Sequence, residues 1–158
     1  ARVDDRLIHG EVVSVWTPTL SANAILVVDD DVAKDDFNKR VIKSLAPEGV
    51  KVFVSSVEGA IKGLIKDPIP GERVIVLTKS PVAFAKIVRA DVPLKEVNLG
   101  GMGLRGERKT FIKNVAASPV EIEAIREMRD KGVHVFYQLV PEQAVIEVDE
   151  ALELAGKE

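Results

Sequence analysis

Short apolar runs rich in β-branched residues recur along the chain, each bounded by Gly, Pro, Asp or Ser and separated from the next by a helix-like stretch. Residues 24–29, 50–54, 73–77, 96–99 and 133–139 are such runs. They are nearly continuous in apolar character instead of alternating, which marks strands buried on both faces. A parallel sheet covered by helices meets that condition. The expected fold is α/β, a single open, mainly parallel sheet with helices on both faces. With 158 residues, 46% of them apolar, and no internal repeat, linker or low-complexity stretch, residues 1–158 are expected to form one domain.

The helix starts are legible. Ser55-Ser56-Val57-Glu58 and Ser118-Pro119-Val120-Glu121 each match a capping box, and Ser80-Pro81 repeats the Ser-Pro opening. A helix over 119–131 places Ile122, Ile125 and Met128 on one stripe and stops at Gly132. Near the start of the chain, Val12, Val13, Trp16 and Leu20 recur at helical spacing, and Pro18 should end or kink that helix in its last turn. His9-Gly10 then falls at a helix N-terminus. If residues 1–3 are the tail of a first strand, residues 4–10 form a strand-to-helix loop at the carboxyl edge of the sheet, where open α/β folds bind ligands. Ala1 opens almost inside this segment, so residues upstream of it are expected.

Composition removes several classes of function. A net charge of -3, with both signs interspersed, gives no basic stripe for nucleic acid. No cysteine is present, so disulfides and thiolate catalysis are out. The apolar runs are far shorter than the roughly 18 residues a membrane span needs. With two histidines, a histidine-rich metal site is impossible, and no metal or cofactor is expected. His134 sits in an alternating run and reads as a surface or satisfied core histidine.

The chemistry gathers at His9. A neutral imidazole attacks phosphorus directly, without an activating base. A phosphorylated ring would need donors for its oxygens, which Arg2, Arg6 and the amides starting at Gly10 could supply. A carboxylate from Asp4 or Asp5 could hold one ring nitrogen and leave the other free. Ser55, Ser56 and Lys79 would lie at the same sheet edge and could line a phosphate pocket, while Asp29–Asp31 reads as a solvated loop. On residue types alone, the His9 segment reads more readily as polar loop residues capping a helix than as a nucleophilic site. Gly101, Gly103 and Gly106 satisfy G-x-G-x-x-G, but residues 108–112 look like a short strand where a dinucleotide site needs a helix. Glu107 and Arg108 also break the spacing of a P-loop. The stretch reads as a glycine loop that lets backbone approach a ligand or partner.

The segment Arg2-Val3-Asp4-Asp5-Arg6-Leu7-Ile8-His9-Gly10-Glu11-Val12, with Trp16 following, closely resembles the opening motif of the IIB components of the mannose/fructose/sorbose family of bacterial phosphotransferase systems. Val54-Ser55-Ser56-Val57-Glu58, Val97-Asn98-Leu99-Gly100-Gly101-Met102 and Lys109-Thr110 follow in that family's order. The resemblance implies a cytoplasmic phosphotransferase, peripherally associated with a membrane permease. It would receive a phosphoryl group from a IIA component and pass it to a sugar taken up through IIC and IID components. It implies that His9 is phosphorylated on Nδ1 with Nε2 held by a hydrogen bond, and that Arg2, Asp4 and Arg6 occupy motif positions around it. A homo-oligomer is compatible with the sequence. The alternative is a regulatory module that binds a phosphorylated partner without passing the group on. Two departures stand out: Glu11 replaces the usual Gln and should slightly disfavour phosphorylation unless it faces outward or pairs with an arginine, and Arg108 precedes Lys109-Thr110 where Gly is common.

Overall fold

The computed structural model describes residues 1–10, 12–66 and 70–156. Its strands are β1 (Arg2–Asp4), β2 (Ala24–Val28), β3 (Lys51–Ser55), β4 (Val74–Thr78), β5 (Glu96–Gly101), β6 (Lys109–Ile112), β7 (Val115–Ala117), β8 (His134–Tyr137) and β9 (Ile146–Glu147). Its helices are a π-helical segment Val12–Trp16, α1 (Thr17–Thr19), α2 (Asp30–Lys34), α3 (Asp36–Ser44), α4 (Val57–Leu64), α5 (Pro81–Arg89), α6 (Pro119–Asp130) and α7 (Asp149–Ala155). Seven strands form one sheet in the order β3-β2-β4-β1-β5-β8-β9, parallel throughout except for β9, and β6-β7 form a separate antiparallel hairpin. All five apolar runs are strands of this sheet; β2, β4, β5 and β8 are largely buried, whereas β3 lies at the sheet edge with no buried residue, so its run does not mark an inner strand.

Each sheet face has its own core. On one, Val3, Val76, Val97, Leu99 and Val135 meet Ala60 of α4, Phe84 of α5, Ile125 of α6 and Leu152 of α7. On the other, Ile25, Val27, Ile75 and Leu77 meet Leu7, Ile8, Val12, Trp16 and Val32. Fully burying each such aliphatic side chain contributes about 1.5–3 kcal/mol. This second core fixes the loop that carries His9, because Leu7 and Ile8, which precede it, are anchored in that core. Among the described residues no helix is long and apolar enough to cross a membrane.

Three local expectations are corrected. The helix following His9 is a π-helix over Val12–Trp16 that passes into the short α1, with Pro18 in the first turn of α1. The wider turn carries Thr17 into the core, where its hydroxyl donates to the Val12 carbonyl at 2.7 Å, and leaves Leu20 exposed, off the buried stripe. The box at Ser55 is shifted by one residue. Ser55 is still paired with Val28 of β2, so Ser56 caps α4, accepting from the Gly59 amide at 3.0 Å, and Glu58 stands exposed. Asp29–Asp31 is no loop: Asp29 caps α2 through the Val32 amide at 2.9 Å, and Asp30 accepts from the Val57 amide at 2.8 Å. The Ser118 box is formed as expected, and α6 ends before Gly132, whose φ is +86°.

Candidate functional site

β1 lies between β4 and β5 and slips register between Val3 and Asp4, which pairs with Gly101. The chain leaving β1 is held by the Asp5 amide on the Gly101 carbonyl (2.8 Å) and the Leu7 amide on the Asp4 carbonyl (3.0 Å). Leu7 sits at φ +57°, a conformation costing a non-glycine residue about 1–2 kcal/mol, offset here by burial of its side chain. His9 follows, its carbonyl accepting from the Val13 amide at 3.1 Å, so it stands just before the first helical turn. Gly10 is the next residue, with open space around it, and Glu11 lies outside the described residues.

Asp4 is the centre of the site. Its carboxylate is fully buried and takes His9 Nε2 at 2.8 Å on one oxygen, with the Arg6 amide at 3.0 Å and Arg6 Nε at 3.4 Å on the other. An ionised carboxylate only accepts, so the ring proton belongs on Nε2 and the Nδ1 lone pair is left over. Among the described residues nothing bonds Nδ1, and the His9 side chain is 12% exposed. Arg2 supports Asp4 from the interior: NH2 lies 3.6 Å from the carboxylate, NH1 donates to the Gln138 carbonyl at 3.3 Å, and the guanidinium lies 5.3 Å from the Trp16 ring centroid. Arg6, 59% exposed, is the cation of this group that reaches solvent.

Two glycines make the arrangement possible. A Cβ at Gly100 would fall within the Arg2 guanidinium, and one at Gly101 would lie 2.9 Å from Asp4 Oδ1. The Asn98-Leu99-Gly100-Gly101 strand therefore approaches β1 closely enough to bury its charged side chains. Gly101→Ala is expected to cost about 1–3 kcal/mol by overpacking, measurable as a shift in urea midpoint at unchanged m-value.

The remaining predicted residues divide. Asp5 turns away from His9 and accepts from the Gly103 amide (2.7 Å), Arg105 (3.1 Å) and Arg108 (2.9 and 3.0 Å), so of the two candidate carboxylates Asp4 takes the ring. Lys79 follows β4, next to β1, with its ammonium 3.8 Å from Asp29. Ser55 and Ser56 are not brought to His9: β3 is three strands from β1, roughly 14 Å across the sheet. Their hydroxyls are engaged locally, Ser55 donating to the Ser56 carbonyl and Ser56 capping α4. His134 begins β8 at the opposite, amino end of the strands, paired with Glu147 at 2.6 Å and stacked on Phe136. The glycine loop leads into the β6-β7 hairpin where a nucleotide motif would need a helix.

A network invisible in local sequence lies beside Asp5. Arg108 is nearly buried and donates to both oxygens of Glu121 (2.8 and 2.9 Å), to Asp5, and to the carbonyls of Gly103 (3.2 Å) and Lys79 (3.4 Å). One guanidinium thus ties the loops after β1, β4 and β5 to the start of α6. The only signal was the departure at Arg108 and an acidic residue in a capping box. Burial works to raise the Glu121 carboxyl, but hydrogen bonds from Arg108, the Ser118 amide and the Ser80 hydroxyl outweigh it and hold the group below its ordinary 4.5. A depressed folded value means the contribution to stability is complete above pH 4.5 and is lost as pH falls through the folded value. Glu121→Gln should therefore lower stability near neutrality and flatten the decline on the acid side, checked by urea denaturation across pH 3–7.

Residues 1–158 match the family described as PTS system sorbose subfamily IIB component. The fructose-specific EIIB component of Bacillus subtilis is 35% identical over 144 residues, covering 91% of this chain and 88% of that protein. The sorbose-specific EIIB component of Klebsiella pneumoniae is 36% identical over 140 residues, covering 89% and 85%. The mannose-specific EIIAB component of Escherichia coli K12 is 37% identical over 134 residues, which is 84% of this chain but 41% of that longer protein. The crystal structure of the IIBSor domain of the K. pneumoniae sorbose permease superimposes with a TM-score of 0.89 at 32% identity, covering 98% of this chain and 94% of that one. Family, relatives and fold agree over nearly the whole chain, which belongs to the sorbose subfamily of IIB components of PTS sugar transport.

Proposed function

We propose that the chain, residues 1–158, acts as one IIB unit, accepting a phosphoryl group from a IIA component on His9 Nδ1 and passing it to a sugar carried by IIC and IID components. It would work in the cytoplasm beside that permease. The observation that carries this reading is the 2.8 Å bond from His9 Nε2 to buried Asp4, which leaves Nδ1 as the nucleophile. In the first step the Nδ1 lone pair attacks phosphorus in line, the new N–P bond forming as the partner's N–P bond breaks and its electrons return to the partner imidazole. Positive charge develops on the His9 ring and is stabilised by the Asp4 carboxylate. Arg6, the exposed cation, meets the phosphoryl oxygens, while Arg2 holds Asp4 in place. In the second step a sugar hydroxyl attacks the same phosphorus, its proton leaves to solvent, and the ring recovers its lone pair. Donor and carrier are both imidazoles, so the first transfer is nearly balanced in energy and calls for no nucleotide.

Incubation with a phosphorylated IIA component should place one acid-labile phosphate on His9, located by mass spectrometry, with ³¹P NMR assigning it to Nδ1. Label on His134, on another residue or on Nε2 would overturn the reading.

A further inference from the structure

We propose that Arg108 is a positioning residue for phosphoryl transfer: it holds the Asp5 carboxylate turned away from His9, so that Asp4 alone takes the ring and no second anion faces the incoming phosphoryl group. The inference rests on the reading of His9 as the acceptor. Asp5 stands in sequence between Asp4, which binds the ring, and Arg6, which reaches solvent, so its carboxylate needs a reason to lie elsewhere. Its contacts supply one. The two oxygens accept from the Gly103 amide at 2.7 Å, from Arg105 at 3.1 Å and from Arg108 Nη1 at 2.9 and 3.0 Å. The Arg105 side chain is 67% exposed, and an ion pair made by so exposed a group holds weakly. Arg108 and Asp5 are 9% and 10% exposed, so in this pair neither charge has much water to replace its partner.

Glu121 decides how the group fails when the cation is lost. Arg108 Nε and Nη2 donate to its two oxygens at 2.8 and 2.9 Å, so two nearly buried carboxylates share one guanidinium. Without the cation they repel each other where water screens poorly. Glu121 stays in place in the first turn of α6, because the Ser118 amide at 3.1 Å and the Ser80 hydroxyl at 2.8 Å still donate to it. Asp5 is the movable partner, carried on the loop that leaves β1 and kept only by the Gly103 amide and the exposed Arg105. On its own loop the groups that attract an anion are Arg6 and the His9 ring as it becomes positive. A carboxylate drawn there takes Arg6 from the phosphoryl oxygens and adds negative charge where the phosphoryl group must arrive. Arg108 therefore acts through Asp5, without a bond of its own to the ring.

The test is the maximal rate of single-turnover acceptance from a phosphorylated IIA component, with the label located by mass spectrometry and each variant assayed well below its melting temperature. Arg108→Gln should lose about tenfold, the scale of one added charge near the transferring group. Arg108→Lys, whose ammonium can still lie between Asp5 and Glu121, should recover most of that loss. Asp5→Asn added to Arg108→Gln should bring the rate back to within about threefold of the parent, because the freed charge is gone. A purely structural role for Arg108 would give no such recovery. Asp5→Asn alone should change the rate far less than Arg108→Gln does. If Arg108→Gln does not fold, the double variant, free of the repulsion, carries the test by itself: a rate near the parent's supports the proposal, and a deficit of about tenfold overturns it. Arg108→Gln at the parent rate, a double variant no faster than Arg108→Gln, or an Asp5→Asn effect equally large in both backgrounds would also overturn it. Those results leave His9 as the labelled residue, whereas a parent labelled elsewhere would overturn the acceptor and this inference together.

Discussion

His9→Ala is expected to eliminate phosphoryl acceptance altogether while leaving the fold essentially intact. The ring contributes one hydrogen bond, to Asp4, and Asp4 retains the Arg6 amide and the Arg2 ion pair once the ring is gone. A partly exposed hydrogen bond contributes about 0.5–1.5 kcal/mol net, so the loss of stability should be of that order. The nucleophile, by contrast, has no substitute nearby: Asp5 is engaged by Arg105 and Arg108, and His134 lies at the other end of the sheet. Single-turnover transfer from a phosphorylated IIA component, followed by gel or mass spectrometry, should show no label above background alongside an unchanged circular dichroism spectrum. Appreciable residual labelling would mean that the acceptor is elsewhere.

The second large effect belongs to Asp4, where two substitutions separate structure from chemistry. Asp4→Ala removes the anion facing buried Arg2 and the acceptor of the Arg6 amide, and should cost about 3–5 kcal/mol, as breaking a buried ion pair does. Asp4→Asn keeps the shape and one acceptor oxygen but removes the charge that stabilises a positive His9 ring and fixes its tautomer. Its expected cost in the rate of acceptance is about 100-fold or more, a range typical of lost carboxylate support for a working histidine. Because the partner's docking does not depend on this buried group, the loss should fall on the maximal rate and not on the partner concentration giving half of it. An Asn variant as fast as the parent would remove Asp4 from the mechanism.

Most of the fold could be read in the sequence because burial on both faces leaves a composition signature: the runs at 24–29, 73–77 and 96–99 could hardly be anything but inner strands. Element ends were less legible, since they depend on pairing. Whether Ser55 or Ser56 caps α4 is decided by how far β2 runs alongside, and whether Asp29 is loop or cap by where β2 stops. The π-helical turn is a tertiary outcome, set by the fit of Val12, Trp16 and Thr17 to the core. In the site, the local cluster of Arg2, Asp4, Arg6 and His9 was legible because a short strand and its exit loop keep neighbours in sequence close in space. The Asp5–Arg108–Glu121 triad was not, as its members are up to 116 positions apart, Asp5 to Glu121, and meet only through sheet order. The glycine loop had its reason in reverse: Gly100 and Gly101 make room for Arg2 and Asp4 of their own chain.

On the proposed function, the bond between His9 Nε2 and Asp4 would also set the order of events. A ring held at Nε2 shows Nδ1 in its favoured orientation, so the group that delivers the phosphoryl and the group that removes it would both come to Nδ1 from the same side. The site then has a single berth. Donor and acceptor would not occupy it together, and the proposed cycle would alternate, with the IIA component leaving before the sugar-bearing permease engages.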